Sequence, residues 1–310
     1  MSMSASGRLG ARGVALVTVL WVLALLVVMA AAVTANSRTD VEMARNLLDT
    51  AKARLAAESA IRLVILDMLR GSDEGLLYGS GAVVRWEIDG LPVEVAVFDE
   101  AGRIDLNGAP RVLLDGLMIA AGVAGDRREA VVDAILDWRD PDDLRRLAGA
   151  EDRDYESAGR GYGSRDEDFQ SVEELRLVLG VDQAVFERIA PALTVYSGSG
   201  GVSLDVASPL VAAAVERSIE GGESGDALTS QPASAQGGSS GALRRSGTFT
   251  IYAQGRTPGG ARAAVAATVS LGATRGELPY TIRDWRDEPA VAERLFGPAE
   301  QDETGEAEAI

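Results

Sequence analysis

Two residue types that carry much of protein chemistry are missing from this chain: its 310 residues include no cysteine and no histidine. Without cysteine there is no disulfide framework and no thiolate metal site. The redox compartment stays open, since a periplasmic protein of this size can manage without bridges. Without histidine the commonest general base, the Ser-His-Asp arrangement and the usual zinc ligand are all excluded. Any resident metal must be held by oxygen. Positive charge is in the minority as well, with 30 Lys and Arg against 47 Asp and Glu and a formal net charge of −17. A body this acidic repels phosphate backbones and anionic lipid, so nucleic-acid binding is excluded.

Glycine and proline are absent from one long stretch, Val14 to Arg70. Within it, Val14 to Ala35 contains no charge, and its only polar side chains are Thr18 and Thr34. These 22 residues are enough to span a bilayer as a helix. The helical pattern continues to about Arg70, roughly 85 Å in all, far more than a membrane needs. Arg8 and Arg12 precede the run and orient that end toward the cytoplasm. Three readings compete for residues 1–35. A secretory signal peptide has a shorter apolar core, and a cut at Val33-Thr34-Ala35 would sever a continuing helix. A single-pass anchor fits the length. A pilin-type leader (residues 1–13) is cut after Gly13, so that the mature chain starts at Val14 and keeps the helix.

Residues 36–100 complete the helix and add the first strands. Val41, Ala44, Leu48, Ala51 and Leu55 form a stripe at 3–4 spacing, and charged residues fill the opposite face. Gly71 is the expected stop. Val83–Ile88 and Leu91–Phe98 flank Asp89-Gly90, a strong hairpin signal. Residues 248–272 supply a second hairpin, and both are expected in one antiparallel sheet on the helix, since a lone hairpin is marginal. Residues 101–219 read as a helical insertion, with helices near 111–121, 127–138, 172–179, 183–193 and 209–219. Gly122-Val123 and Gly180-Val181 turns point to small helix-hairpin-helix units. A linker at 220–247 and a disordered acidic tail at 273–310 follow. The fold class is α+β: a long amino-terminal helix on a small antiparallel sheet, with a large all-helical (SAM-like, helix-hairpin-helix) insertion.

The densest acidic cluster is Asp137, Asp140, Asp142 and Asp143, which resumes at Glu151 and Asp152. Pro141 breaks the helix there, so several oxygens can converge without helical spacing. Calcium wants six to eight hard oxygen ligands in flexible geometry, and such a loop suits it. The alternative is a solvated acidic loop. A stretch of this length, Arg139 to Ser171, without clear secondary structure favours a bound ion as the fixing element. No catalytic residue emerges: the serines lack a neighbouring base, and no Gly-rich phosphate cradle follows a strand.

Arg12-Gly13-Val14-Ala15-Leu16-Val17, Phe98 to Asn107, Ile135 to Asp140, Gly149-Ala-Glu-Asp152 and Ser171 to Val178, in this order, resemble the type II secretion minor pseudopilin K family (general secretion pathway protein K). The resemblance covers about residues 8–215. It implies a prepilin-peptidase cut between Gly13 and Val14 and methylation of the new amino terminus. It also implies a pilin-like body, single-pass in the inner membrane with its bulk in the periplasm, and a non-enzymatic role at the tip of the pseudopilus in protein export. The implied partners are minor pseudopilins I and J, other pseudopilins of the filament, the prepilin peptidase and the inner membrane, with no nucleic acid. Calcium is the implied cofactor, with Asp137, Asp140, Asp142, Asp143, Glu151 and Asp152 as candidate ligands. Most pilins carry Glu at the fifth mature position, which here is Thr18. A carboxylate with no partner in hydrocarbon is costly, and a tip subunit has no neighbour above it to neutralise one. The rival reading is an anchored periplasmic binding module outside any pilus. An anchored metal-dependent hydrolase is disfavoured by the missing histidine.

Overall fold

The computed structural model describes residues 11–70, 79–123, 125–221, 225–229, 247–272 and 278–297. The leader residues 1–10, most of the expected linker and residues 298–310 lie outside the described residues. One unbroken helix, α1 (Ala11–Arg70), fills the stretch that lacks Gly and Pro. It begins three residues before Val14, so the Gly13–Val14 junction falls within a helical turn. The described side chains in its apolar run, Ala15 to Ala31, are all exposed. The hydroxyl of Thr18 is satisfied locally, donating to the Ala15 carbonyl at 2.9 Å. Among the described residues no helix is long and apolar enough to cross a membrane; the sequence run extends to Ala35, past the side chains that are described.

The second half of α1 is where the chain finds its first core. Ala53, Ala56, Ala57, Ala60, Ile61, Val64, Ile65 and Met68 are buried at 3–4 spacing. They lie on a five-stranded sheet in the order β1 (Ser80–Ile88), β2 (Leu91–Asp99), β5 (Gly247–Arg256), β6 (Arg262–Leu271) and β7 (Tyr280–Asp287). All its pairings are antiparallel. Each strand contributes alternate residues: Val93, Val95 and Val97 from β2, Phe249, Ile251 and Ala253 from β5, Val265, Ala267 and Val269 from β6. That period of two is the pleat of a sheet with one face on the helix. The alanines of α1 keep the helix close, and the branched residues fill the gap. Asp89 (φ 50°) and Gly90 (φ 76°) both adopt the left-handed conformation that a two-residue hairpin turn requires. Both expected hairpins are therefore present and joined through β2 and β5.

Between them stands the insertion, with its own core of Leu113, Leu114, Leu117, Val131, Ile135, Trp138, Tyr155, Leu175, Ile189 and their neighbours. Its helices are α2 (Arg111–Ala120), α3 (Gly125–Arg139), α4 (Asp152–Ser157), α5 (Gln183–Ile189), α6 (Pro209–Glu220) and α7 (Gly225–Leu228). A short parallel pair, β3 (Ile104–Asp105) and β4 (Leu193–Thr194), closes its base.

The structure departs from the expectations in four places. The helix expected at 172–179 is a 3₁₀ turn, Val172–Arg176. The long loop after Arg139 holds a helical turn of its own, α4, started where the Asp154 carboxylate accepts the Glu151 N–H. Part of the expected linker is anchored: Leu228 is buried and its carbonyl accepts the Val202 N–H at 2.9 Å. Most of all, the tail expected to be disordered contains regular structure. Residues 280–287 form β7, followed by α8 (Pro289–Phe296). Asp284-Trp-Arg-Asp287, which repeats the string at Asp137 to Asp140, lies in this edge strand. Its Trp285 packs against the sheet core with Arg62 of α1 over its ring, 5.6 Å from the centroid.

Candidate functional site

The acidic residues singled out from the sequence lie at the end of α3 and on the loop that folds back beneath it. Asp137 is fully buried on the last turn of α3, because that face of the helix points into the insertion core. Its carboxylate binds the Arg146 guanidinium at 2.6 Å and accepts the Arg146 backbone N–H. Asp140 shares the same guanidinium through Oδ2, while its Oδ1 is buried without a hydrogen bond. Burial pushes the Asp137 carboxyl above the ordinary carboxylate range, against the pull of Arg146.

Glu151 approaches from the far side of the loop. Its Oε2 accepts the Ser164 hydroxyl at 2.7 Å, and its Oε1 is buried with no hydrogen-bond partner. Burial, reinforced by the charges of Asp137, Asp140 and Asp166, raises its pKa to about 7. Asp152 is exposed but also lies within 3.3 Å of the Ser164 hydroxyl. Two glycines make this convergence possible. A Cβ on Gly149 would sit 1.9 Å from Oδ2 of Asp137, and one on Gly163 would sit 1.7 Å from Oδ1 of Asp152. The loop backbone therefore lies directly against the carboxylates.

Two candidates are not brought in. Asp142 is exposed and caps the Leu144 N–H at 2.9 Å, and Asp143 is exposed on the outer side of the turn. One residue was missed by sequence reading: Asp166, whose buried Oδ1 has no hydrogen-bond partner and whose backbone is left-handed at φ 56°. Its only advance signal was its position among other acids on the same loop. A second, Asp133, holds the loop without joining the cluster. It is buried, accepts the Arg111 guanidinium at 2.8 Å and receives the Ala148 N–H.

The scaffold beneath is the Phe98–Asn107 segment. Asp105 accepts from Asn107 N–H and Gly108 N–H with one oxygen, and from Ser197 and Gly198 with the other. The Asn107 amide brackets Phe169 on both its N–H and its carbonyl. Phe169 in turn stacks on Trp138, whose other neighbours are Tyr155 and Tyr162. Trp138 thus anchors the end of α3 in an aromatic cluster.

Chemically, the cluster is a set of hard oxygen acceptors short of donors, in which the Ser164 hydroxyl donates to Glu151. Three buried oxygens, on Asp140, Glu151 and Asp166, lack hydrogen bonds. Such acceptors fit an oxygen-loving cation in donor type. Among the described residues no three acidic side chains are grouped closely enough to hold a metal ion, and Arg146 lies between Asp137 and Asp140.

Residues 100–198, the span that carries this cluster and its scaffold, match the family model described as type II secretion system protein K. The type II secretion system protein K of Klebsiella pneumoniae is 29% identical over 199 residues, covering 58% of this chain and 61% of the relative. The protein of the same name from Pseudomonas aeruginosa is 27% identical over 232 residues, covering 67% and 69%. The chain therefore spans somewhat under two thirds of the Klebsiella relative's length. Among solved structures, a chain from the GspK–GspI–GspJ complex of the enterotoxigenic Escherichia coli type 2 secretion system aligns with a TM-score of 0.54. The alignment is 13% identical and covers 82% of this chain and 99% of that one. That likeness shows the fold, a mixture of helix and antiparallel sheet. The resemblance drawn from the motifs is thus shown.

Proposed function

We propose that this relative of type II secretion system protein K is a minor pseudopilin at the tip of the secretion pseudopilus. Its role is in assembly and protein export, and it performs no chemistry of its own. The observation that carries the proposal is the union of two features in one chain. The family match lies in the insertion, and the chain before it opens with a basic leader and a helix of 60 residues. The helix is far longer than its contact with the sheet requires, and the described side chains of its apolar first half are exposed. An inner-membrane location with the bulk in the periplasm follows from the 22 uncharged residues and the two arginines before them. Thr18, with its hydroxyl satisfied by the Ala15 carbonyl, carries no charge that needs neutralising inside the bilayer.

The partners in this reading are minor pseudopilins I and J, and the insertion's short helix pairs, turned at Gly122 and Gly180, are read as helix-hairpin-helix units. Calcium is the proposed stabiliser of the acidic cluster. Asp137, Asp140, Glu151, Asp152 and Asp166 are the candidate ligands. Since no three acidic side chains among the described residues are grouped to ligate an ion and Arg146 lies between Asp137 and Asp140, binding requires Arg146 to give way and the loop to draw the carboxylates together. Expressing the full chain with and without a prepilin peptidase tests the central claim. The expected result is a peptidase-dependent size shift, with Val14 as the new amino-terminal residue. An uncut amino terminus in both cultures overturns it.

A further inference from the structure

A second acceptor-rich site lies away from the acidic loop, at the junction where the insertion covers the sheet. The sheet's outer face is not solvent-facing there. Thr250 of β5 and Thr268 of β6 are buried and hydrogen-bonded to each other at 2.9 Å. They form the floor of a cavity of about 310 Å³, and the 3₁₀ turn at Glu100–Gly102 and the segment around Glu173 form its walls. That volume lies at the lower end of the range for small-ligand sites.

Its charges are unevenly satisfied. Glu100 is 1% exposed, lines the cavity, and neither of its carboxylate oxygens receives a hydrogen bond. Among the described residues its ion-pair partner is Arg103, with Nη1 3.2 Å from Oε1. Arg103 is also committed to the Phe98 ring, 5.5 Å below its guanidinium. The other lining arginine, Arg286, is held by Asp284 and by Glu288 at 2.6 Å. Both arginines are therefore occupied, and the acids Glu100, Glu173 and Asp284 outnumber them in the lining. What Glu100 lacks is a hydrogen bond from either lining arginine, although Arg103 forms an ion pair with it. An anion is disfavoured by that balance. A metal ion is disfavoured because no three acidic side chains among the described residues are grouped to ligate one.

We propose that this cavity is a binding site for a compact primary aliphatic ammonium, its N–H donors directed to the Glu100 carboxylate and its charge further balanced by Glu173. A buried carboxylate whose oxygens receive no hydrogen bond is costly even beside an arginine, and an ammonium supplies up to three N–H donors within a small volume. The proposal is independent of the pseudopilin reading, since it uses only the junction of sheet and insertion.

The test is calorimetric titration of the full chain in non-ionic detergent with putrescine, and with tetramethylammonium at the same ionic strength. Putrescine is expected to bind saturably. Tetramethylammonium has the charge but no N–H, and is expected not to bind. Glu100→Gln keeps the side chain's size and removes its charge, and should weaken putrescine binding by about tenfold or more, the loss of a charge-assisted contact. Glu173→Gln alters an exposed residue, leaves the fold intact and should weaken binding by up to about fivefold. Should Glu100→Gln fail to fold, the Glu173 variant and the tetramethylammonium comparison decide the matter. No saturable heat with putrescine, equal binding of tetramethylammonium, or unchanged affinity in the folded variants overturns the proposal.

Discussion

At the scale of single residues, the acidic cluster is governed by how closely backbone approaches carboxylate. Gly149 is the sharpest case, because an added methyl would collide with Asp137 at 1.9 Å and Asp137 is itself fixed by Arg146. Gly149→Ala should therefore destabilise the protein by about 1–3 kcal/mol, the usual range for overpacking a tight site. A urea midpoint lowered at constant m-value is the expected reading. Glu151 makes a prediction in pH. Its folded pKa of about 7 lies above the ordinary 4.5, so the folded state binds the proton more tightly than the unfolded chain. With chelator present, its contribution to stability is greatest below about pH 4.5, falls as pH rises toward 7, and is flat above. Glu151→Gln should remove that fall and gain on the wild type above pH 7; parallel pH profiles would contradict the burial argument. The sequence shows that these acids are dense. It does not show that Asp142 and Asp143 turn outward while Asp166 turns in, because that depends on where the loop meets Trp138 and Ser164.

At the scale of elements, the readable ones carry strong local signals. A stretch without Gly or Pro becomes one helix, and Asp89-Gly90 becomes a tight hairpin. The elements that escape the sequence reading carry weak local signals and exist through tertiary contact. β7 is rich in charge and lies within the tail expected to be disordered. It is a strand because β6 offers it an edge, and because Trp285 and Tyr280 find the core. Ending the chain at Gly272 should therefore cost about 2–4 kcal/mol, from two partly buried aromatics and an uncovered edge. Thermal melting of the truncated chain should show a lower midpoint and more aggregation. An unchanged melt would restore the view of the tail as a passive appendage. The Arg54–Asp287 ion pair, at 2.7 Å, ties the same strand to α1, but both partners are substantially exposed and it contributes little.

For the whole molecule, the two cores are joined through the Glu100–Asp105 connection and by the insertion lying on the sheet. If calcium binds the acidic loop only in the folded protein, it must raise stability by mass action, about 2.7 kcal/mol at a hundredfold excess over Kd. Melting the full chain with calcium and with chelator should therefore give separated midpoints. Asp166→Asn should narrow the separation, and Asp142→Asn should leave it unchanged. Coincident midpoints in the wild type would make the cluster a solvated loop held by Arg146.

The sequence by itself determined what depends on local chemistry and covalent spacing. It excluded cysteine and histidine chemistry, gave the long helix its length and its apolar half, and set the hairpin turn and the alternation of both hairpins. It also carried the order of motifs that resembles the protein K family. Only the tertiary structure decided what depends on residues far apart in the chain. Asp137 lies against Gly149, and Glu151 bonds Ser164. Asn107 clasps Phe169, 62 residues away. Glu100 is buried between the insertion and the sheet, and β7 completes that sheet. A carboxylate's neighbours, and hence its charge state and its uses, are set by packing, and packing brings together residues whose sequence separation carries no signal.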